Sequence, residues 1–250
     1  MIDFGKQLIY LDSVGSTNNY LAEHADLDSL AEGTAILTYD QHDGKGQLDR
    51  VWTMNSGQDL AISYLVRPGL RPADLFTLNK AVGLAVHSVI SELVSGETKL
   101  KWPNDVLVND KKVAGILIEP TWQGGQCKQV IVGIGINVNG DFSSFPFSAT
   151  SLREIMGMEI SQMDVVSCLN KHMTIHHHAF AQNSTQVLAE KYDNLLYGSG
   201  QEVKYSTKDT LGSFGKVVGV DGLGRIVLQT KERQVAFSHG EIEIDYLGIE

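Results

Sequence analysis

Residues 99–139 read KLKWPNDVLVNDKKVAGILIEPTWQGGQCKQVIVGIGINVN. The stretch opens with three strand-like pieces, Lys99 to Trp102, Val106 to Val108 and Val113 to Ile118. Asn109-Asp110 is a tight-turn pair that predicts a hairpin between the last two. A longer strand, Val130 to Val138, carries glycines at 133 and 135. Glycine inside a strand marks a place where backbone or ligand comes close.

Upstream, Leu60 to Val66 is apolar at both alternating sets, which predicts a strand covered on both faces and ended by Pro68-Gly69. Leu75, Leu78, Val82, Ala85, Val89 and Leu93 recur at three- and four-residue steps, predicting a helix over 73–95 that stops at Gly96. Downstream, Ser161-x-x-Asp164 opens a helix carrying Val166, Leu169, Met173, His176 and Phe180. Ser184 opens a second one over 184–197. Past Gly198-Ser199-Gly200 the text turns to β at 201–206, 215–220, 225–230, 233–238 and 241–247. The expected fold is α+β: a mixed sheet with helices on one side over 1–197, and a small β-barrel-like domain over 198–250. The second piece is too small for a strong core of its own and should pack on the first.

Composition narrows the function classes. With 42% hydrophobic and 20% charged residues the chain is an ordinary globular one. No apolar run reaches membrane-span length, and MIDFGKQLIY lacks a basic segment followed by an apolar one. Cys127 and Cys168 stand far apart, outside any CxxC pair, so two reduced thiols in a cytoplasmic protein are expected. The net charge of −10 comes without a Lys/Arg cluster, which argues against a nucleic-acid partner. It says nothing about nucleotides, because an acidic protein can hold an anion in a locally basic site.

Five segments carry possible chemistry. Gly44-Lys45-Gly46-Gln47-Leu48-Asp49-Arg50-Val51-Trp52 combines glycines that can present N–H groups to an anion, two cations and a flat ring. It is neither a Walker loop nor a dinucleotide fingerprint, and alone it reads as a surface turn. Lys101-Trp102-Pro103-Asn104-Asp105 is denser in polar groups than a solvated turn requires. Lys112 to Glu119 is a strand with one glycine, Gly115. Gly133-Ile134-Gly135-Ile136-Asn137-Val138-Asn139 reads as a barrel corner or as a site wall ending in an amide. Ser16-Thr17-Asn18 is a good helix N-cap, and its side chains could equally hydrogen-bond a small neutral ligand.

The ordered series of these motifs, with Gln41 ahead of the basic loop, resembles the biotin–protein ligase family from about Leu11 to Asn139. The C-terminal β piece is similar to that family's small SH3-like domain. The resemblance implies a class II synthetase-like catalytic domain that makes biotinyl-5′-AMP from biotin and ATP. It then transfers biotin to a lysine of a biotin carboxyl carrier protein. It assigns biotin contacts to Ser16, Thr17, Asn18, Gln41, Gly44, Lys45, Gly46, Gln47, Lys101, Gly115 and Gly135. It assigns ATP contacts to Lys45, Arg50, Trp52, Lys101, Lys112 and Asn137, with Lys101 and Arg50 catalytic. Mg²⁺ would arrive with ATP, no resident metal is expected, and an edge strand would allow a homodimer. Because Ser16 comes so early, no N-terminal DNA-binding domain is expected.

One segment departs from the family. Its basic loop usually reads GRGRxGRxW; here Lys45 and Gln47 replace arginines and Asp49 replaces glycine. Loss of a bidentate charge at Gln47 predicts a weaker hold on the adenylate. His176, His177 and His178 are adjacent on a helix and point in different directions, so they cannot chelate together, and His176 is read as packed. His42, Asp43 and Cys127 lack partner patterns for catalysis. Two rival readings remain, a lipoate or octanoyl transferase of related fold and a non-catalytic biotin-binding protein.

Overall fold

A computed structural model describes residues 2–24, 30–48, 50–145, 148–182 and 184–246. Asp49 and the last residue of the predicted 241–247 strand lie outside them. Among the described residues, seven strands form one sheet: β1 (Leu8–Tyr10), β2 (Ala35–Thr38), β3 (Leu60–Val66), β4 (Thr98–Lys101), β5 (Asp105–Val108), β6 (Lys111–Gln123) and β7 (Gln126–Ile136). Their spatial order is β1-β2-β3-β7-β6-β5-β4, with β1 parallel to β2 and every other pair antiparallel. Asn109 and Asp110 take φ of 47° and 66°, the left-handed conformation a two-residue hairpin turn needs. They join β5 to β6 as the sequence predicts.

The helices are α1 (Thr17–His24), α2 (Leu75–Leu93), α3 (Leu152–Met156), α4 (Gln162–Ala181) and α5 (Thr185–Asn194). A 3-10 turn over Pro72–Asp74 leads into α2, which ends where Val94 turns extended, two residues before Gly96. Ser161 caps α4 by accepting from the Asp164 N–H. Ser184 sits at the cap of α5 without a side-chain bond, and α5 stops short of the predicted 197.

Strand alternation decides which face each helix covers. Leu60, Ile62, Tyr64 and Val66 of β3 and Val130, Val132, Ile134 and Ile136 of β7 join one buried cluster with the apolar stripes of α2 and α4. The other face holds a smaller cluster, in which Leu21 of α1 meets Ile36, Leu65 and Ile131. Helices therefore lie on both sides of the sheet, which corrects the one-sided arrangement expected. The long stripes of α2 and α4 announced their face, but the short α1 has no strong periodicity to announce its own. On α4 the buried histidine is His177, with His176 half-buried beside it.

The C-terminal strands β8 (Glu202–Thr207), β9 (Ser213–Val220), β10 (Ile226–Gln229), β11 (Gln234–Phe237) and β12 (Ile242–Asp245) form an antiparallel sheet, ordered β11-β10-β9-β8-β12. Side chains of the first part tie it to the larger sheet's helices and strands. Lys80 of α2, almost fully buried, donates to the Val220 carbonyl at 2.7 Å and lies 3.7 Å from Asp193 of α5. Trp102 Nε1 donates to the Gly224 carbonyl at 2.9 Å. Burial lowers the Lys80 pKa and raises that of Asp193, and their mutual attraction opposes both shifts.

Candidate active site

Sheet register assembles the site. Lys101 pairs with Asp105, Asp105 with Gly115, Gly115 with Gly135, and Gly135 with Ala61. These five residues form one row across β4, β5, β6, β7 and β3. The neighbouring row holds Ser63, Gly133 and Leu117. Directly paired residues share a face, so this run of small residues hollows the sheet opposite α2 and α4. The result is a cavity of about 450 Å³, a volume typical of small-molecule sites.

The Lys-Trp-Pro-Asn-Asp segment splits its work by side chain. Lys101, Asn104 and Asp105 line the cavity. Trp102 is buried against the C-terminal sheet, and Asn104 Nδ2 donates to the Ile116 carbonyl at 2.7 Å, stitching the turn to β6.

One wall is a polar network at the start of α1. Ser16 Oγ accepts from the Asn19 N–H at 3.4 Å, so the N-cap reading holds. The next two side chains turn inward. Gln41 Oε1 accepts from the Thr17 N–H at 2.9 Å, and Ser63 Oγ lies 2.7 Å from Thr17 Oγ1 and 2.5 Å from Asn18 Oδ1. Asn18 Nδ2 donates to Glu119 Oε2 at 2.6 Å. Ser16, Thr17, Asn18 and Ser63 are all buried, so their hydroxyls and amide are fixed in direction.

The wall beside it is the basic loop. Gly46 N–H donates to the Arg50 carbonyl at 2.7 Å and Trp52 N–H to the Gly44 carbonyl at 2.9 Å. This fold-back brings Lys45, Gly46, Gln47, Arg50 and Trp52 to the cavity. Gly44 lines only an adjoining cleft of about 1010 Å³. A Cβ at Gly44 would run into the Trp52 carbonyl and the Gln41 amide, so the glycine is needed for packing there.

The charges are arranged for an anion. Lys101 and Arg50 have no carboxylate within ion-pair distance among the described residues. Lys101 Nζ stands 5.2 Å from the centre of the Tyr246 ring. Lys45 Nζ donates to Asn19 Oδ1 at 3.0 Å. Lys112 is spoken for: its Nζ lies 2.7 Å from Asp105 Oδ1 and 5.3 Å from the Trp52 ring centre. Gln47 Oε1 and Trp52 Nε1 are buried without a hydrogen-bond partner among the described residues. Buried polar atoms left open in this way are what a bound ligand would satisfy.

Of the predicted site residues, Ser16, Thr17, Asn18, Gln41, Lys45, Gly46, Gln47, Arg50, Trp52, Lys101, Lys112, Gly115 and Gly135 all line the cavity. Asn137 does not. It is buried, and its Nδ2 donates to the Thr150 carbonyl at 3.0 Å and toward that of Lys112 at 3.4 Å, bracing the sheet end. The glycines also need a new explanation. A side chain at Gly115 or Gly135 would strike the Trp52 indole, and one at Gly133 would strike the Asn18 amide. They make room for these two side chains as well as lining the cavity themselves.

His239, from the C-terminal sheet region, lines both the cavity and the cleft and stacks edge-on against Trp102 at 5.7 Å. Burial, then the Arg50 charge, lowers its pKa, with Asp105 opposing. No motif flags it, and neither Ser63 nor Glu119 had a signal beyond strand alternation.

Comparisons with known proteins agree on one family. The sequence pattern of the Biotin/lipoate A/B protein ligase family matches residues 10–137, and that of the Biotin protein ligase C terminal domain matches 198–245. The bifunctional ligase/repressor BirA of Bacillus subtilis (strain 168) is 33% identical over 253 residues, spanning 96% of this chain and 74% of BirA. A biotin--[acetyl-CoA-carboxylase] ligase of Mycobacterium tuberculosis is 28% identical over 241 residues, 95% of this chain and 88% of its own. The solved structure of the Aquifex aeolicus biotin protein ligase in complex with biotin and ATP is similar at a TM-score of 0.80 and 30% identity, over 96% of this chain and 99% of that one. With both sequence patterns and both sheets accounted for, this chain belongs to the biotin protein ligases of the biotin/lipoate A/B protein ligase family.

Proposed function

We infer that this chain is an ATP-dependent biotin–protein ligase that forms biotinyl-5′-AMP and passes biotin to a lysine of a biotin carboxyl carrier protein. The observation that carries this reading is the meeting, in one cavity, of a rigid neutral polar wall with three cations, Lys45, Arg50 and Lys101, that have no carboxylate partner among the described residues. Biotin is a neutral ureido ring joined to an anionic carboxylate by an apolar chain, and ATP is a polyanion. Ser16, Thr17, Asn18 and Gln41 would hold the ureido ring, and the Lys45–Gln47 backbone would close over it.

In the first step a biotin carboxylate oxygen attacks the α-phosphorus and pyrophosphate leaves. Two anions must approach, and a fixed cation between them lowers the cost most where water is excluded. Lys101, at the end of the register row, suits that position. Arg50 and Lys45 would cover phosphate oxygens, with Lys112 as a further contact if it exchanges Asp105 for phosphate. Trp52 would wall the adenylate. Asn137 is assigned a bracing role rather than a nucleotide contact. In the second step the neutral amine of the carrier lysine attacks the anhydride carbonyl, AMP leaves, and a proton passes to solvent. Mg²⁺ would come with the triphosphate as part of the substrate; Asp105 and Asp110 are the carboxylates among the described lining residues.

The two family matches and the glycines at 198 and 200 support a division near 197/198 into a catalytic part and a small β part. His239 would let the second part complete the site of the first. Labelling of a carrier domain with biotin and ATP tests the whole reading. Wild type should label it and Lys101→Ala should not; full activity in the variant, or labelling with lipoate in place of biotin, would overturn the assignment.

A further inference from the structure

On the sheet face opposite the cavity, α2 and α4 lie side by side. Cys168 and His172 are four residues apart on α4, the spacing that stacks two side chains on one helical face. Glu92, in the last turn of α2, faces them. The thiol sulfur, an imidazole nitrogen and a carboxylate oxygen of these three all lie within 4.8 Å of one another. His172 Nε2 is 2.7 Å from Glu92 Oε2. A tetrahedral zinc ion holds its sulfur at about 2.3 Å and its nitrogen and oxygen at about 2.0–2.2 Å, so its ligand atoms stand about 3.3–3.8 Å apart. From 2.7 Å between His172 and Glu92, and no more than 4.8 Å between any two of the three donors, that triangle is reached by shifts of about an ångström.

We propose that Glu92, Cys168 and His172 form a binding site for a zinc-class divalent ion that clamps α2 to α4, with water in the fourth position. The donor set selects the ion. A thiolate with an imidazole favours Zn²⁺ over Mg²⁺, which prefers an all-oxygen shell, so the ion that accompanies ATP does not compete. Charge balances as well. Thiolate and carboxylate neutralise the dication, leaving no net charge in a half-buried crevice. Binding replaces the S–H bond with an S–metal bond and releases one proton to solvent.

Lys171 now holds Glu92, with Nζ 3.1 Å from both carboxylate oxygens. That pair is exposed, hence weak and salt-screened, and Lys171 can swing to solvent. The next turn supports the site. His176 Nε2 meets Ser88 Oγ at 3.1 Å, which orients the imidazole behind His172 without drawing it into the triangle.

The test uses the full chain stripped of metal with EDTA, then titrated with Co²⁺ and with Zn²⁺. One Co²⁺ per chain should bind, with the visible bands of a tetrahedral complex and a sulfur-to-cobalt charge-transfer band. Zn²⁺ should displace it and raise the thermal midpoint. Cys168→Ser should abolish the charge-transfer band, His172→Gln should weaken Zn²⁺ binding at least tenfold, and Cys127→Ser and Lys171→Ala should leave the spectrum intact. Sub-stoichiometric binding by wild type, a charge-transfer band that survives Cys168→Ser, or unchanged affinity in His172→Gln would each overturn the site. Biotin labelling by the zinc-free protein should persist, so failure here is distinct from failure of the ligase reading.

Discussion

The two faces of the central sheet are made by the same strands and obey different rules. Toward α2 and α4, β3 and β7 present Leu60, Ile62, Tyr64, Val132, Ile134 and Ile136, all nearly inaccessible. Toward the cavity, the intervening positions are Ala61, Ser63, Gly133 and Gly135. One face maximises apolar contact, and each buried aliphatic side chain there contributes about 1.5–3 kcal/mol. The other gives up that contact to leave space and direct hydrogen bonds. A period of two thus lets stability and binding be set almost independently along one strand.

Several substitutions would break or sharpen this division. Lys101→Ala should lower biotinyl-adenylate formation about 10²–10³-fold, the loss seen when a single charge-stabilising group is removed, while the thermal midpoint moves by less than about 2 °C. A fall in stability matching the fall in activity would end the distinction between faces. On the helix face, Ile134→Ala should cost about 2–5 kcal/mol, or roughly 4–20 °C in midpoint, with biotin affinity in the surviving folded protein little changed. One position away, Gly133→Ala should do the reverse. It displaces the Asn18 amide, so biotin affinity by calorimetry should fall about tenfold, the worth of one to two displaced hydrogen bonds, at small cost in stability.

A gentler change probes the basic loop. Gln47→Arg restores a guanidinium where the family pattern has one, and adenylate dissociation should slow about tenfold, the low end of the value of one charge-assisted bond. Equal dissociation rates would show that the loop's missing charge is made good elsewhere, with Lys45 the first suspect. The smallest effect belongs to pH. Burial, then the neighbouring His172, pushes the His176 pKa down to about 4 from 6.5. An unfolded chain therefore takes that proton first as pH falls. The contribution of His176 is fully present above about pH 6.5 and is lost progressively toward pH 4. The urea midpoint should drop between pH 7 and pH 5 in wild type and drop less in His176→Gln.

Much of the fold was legible. The Asn109-Asp110 turn, the doubly covered Leu60–Val66 strand and the α2 stripe appear where periodicity put them, because each is a local pattern with a local cause. The site was legible through motif order, and nearly every residue so named reaches the cavity. What was misread depended on distant partners. Asn137 looked like a site wall because it follows a glycine-rich strand, yet its amide is consumed by Thr150 and Lys112. Glycines 115, 133 and 135 promised closeness without saying to what.

The sequence by itself determined the elements, the faces of the long helices and the identity of the chemistry-bearing motifs, since spacing and residue type suffice for those. Only the tertiary structure decided that Lys101, Asp105, Gly115, Gly135 and Ala61 share one row, that α1 sits across the sheet from α2, and that His239 enters the site from beyond residue 198. Register between strands far apart in sequence is a property of their pairing. It is settled by hydrogen-bond ladders and by burial of one face, neither of which any single strand carries alone.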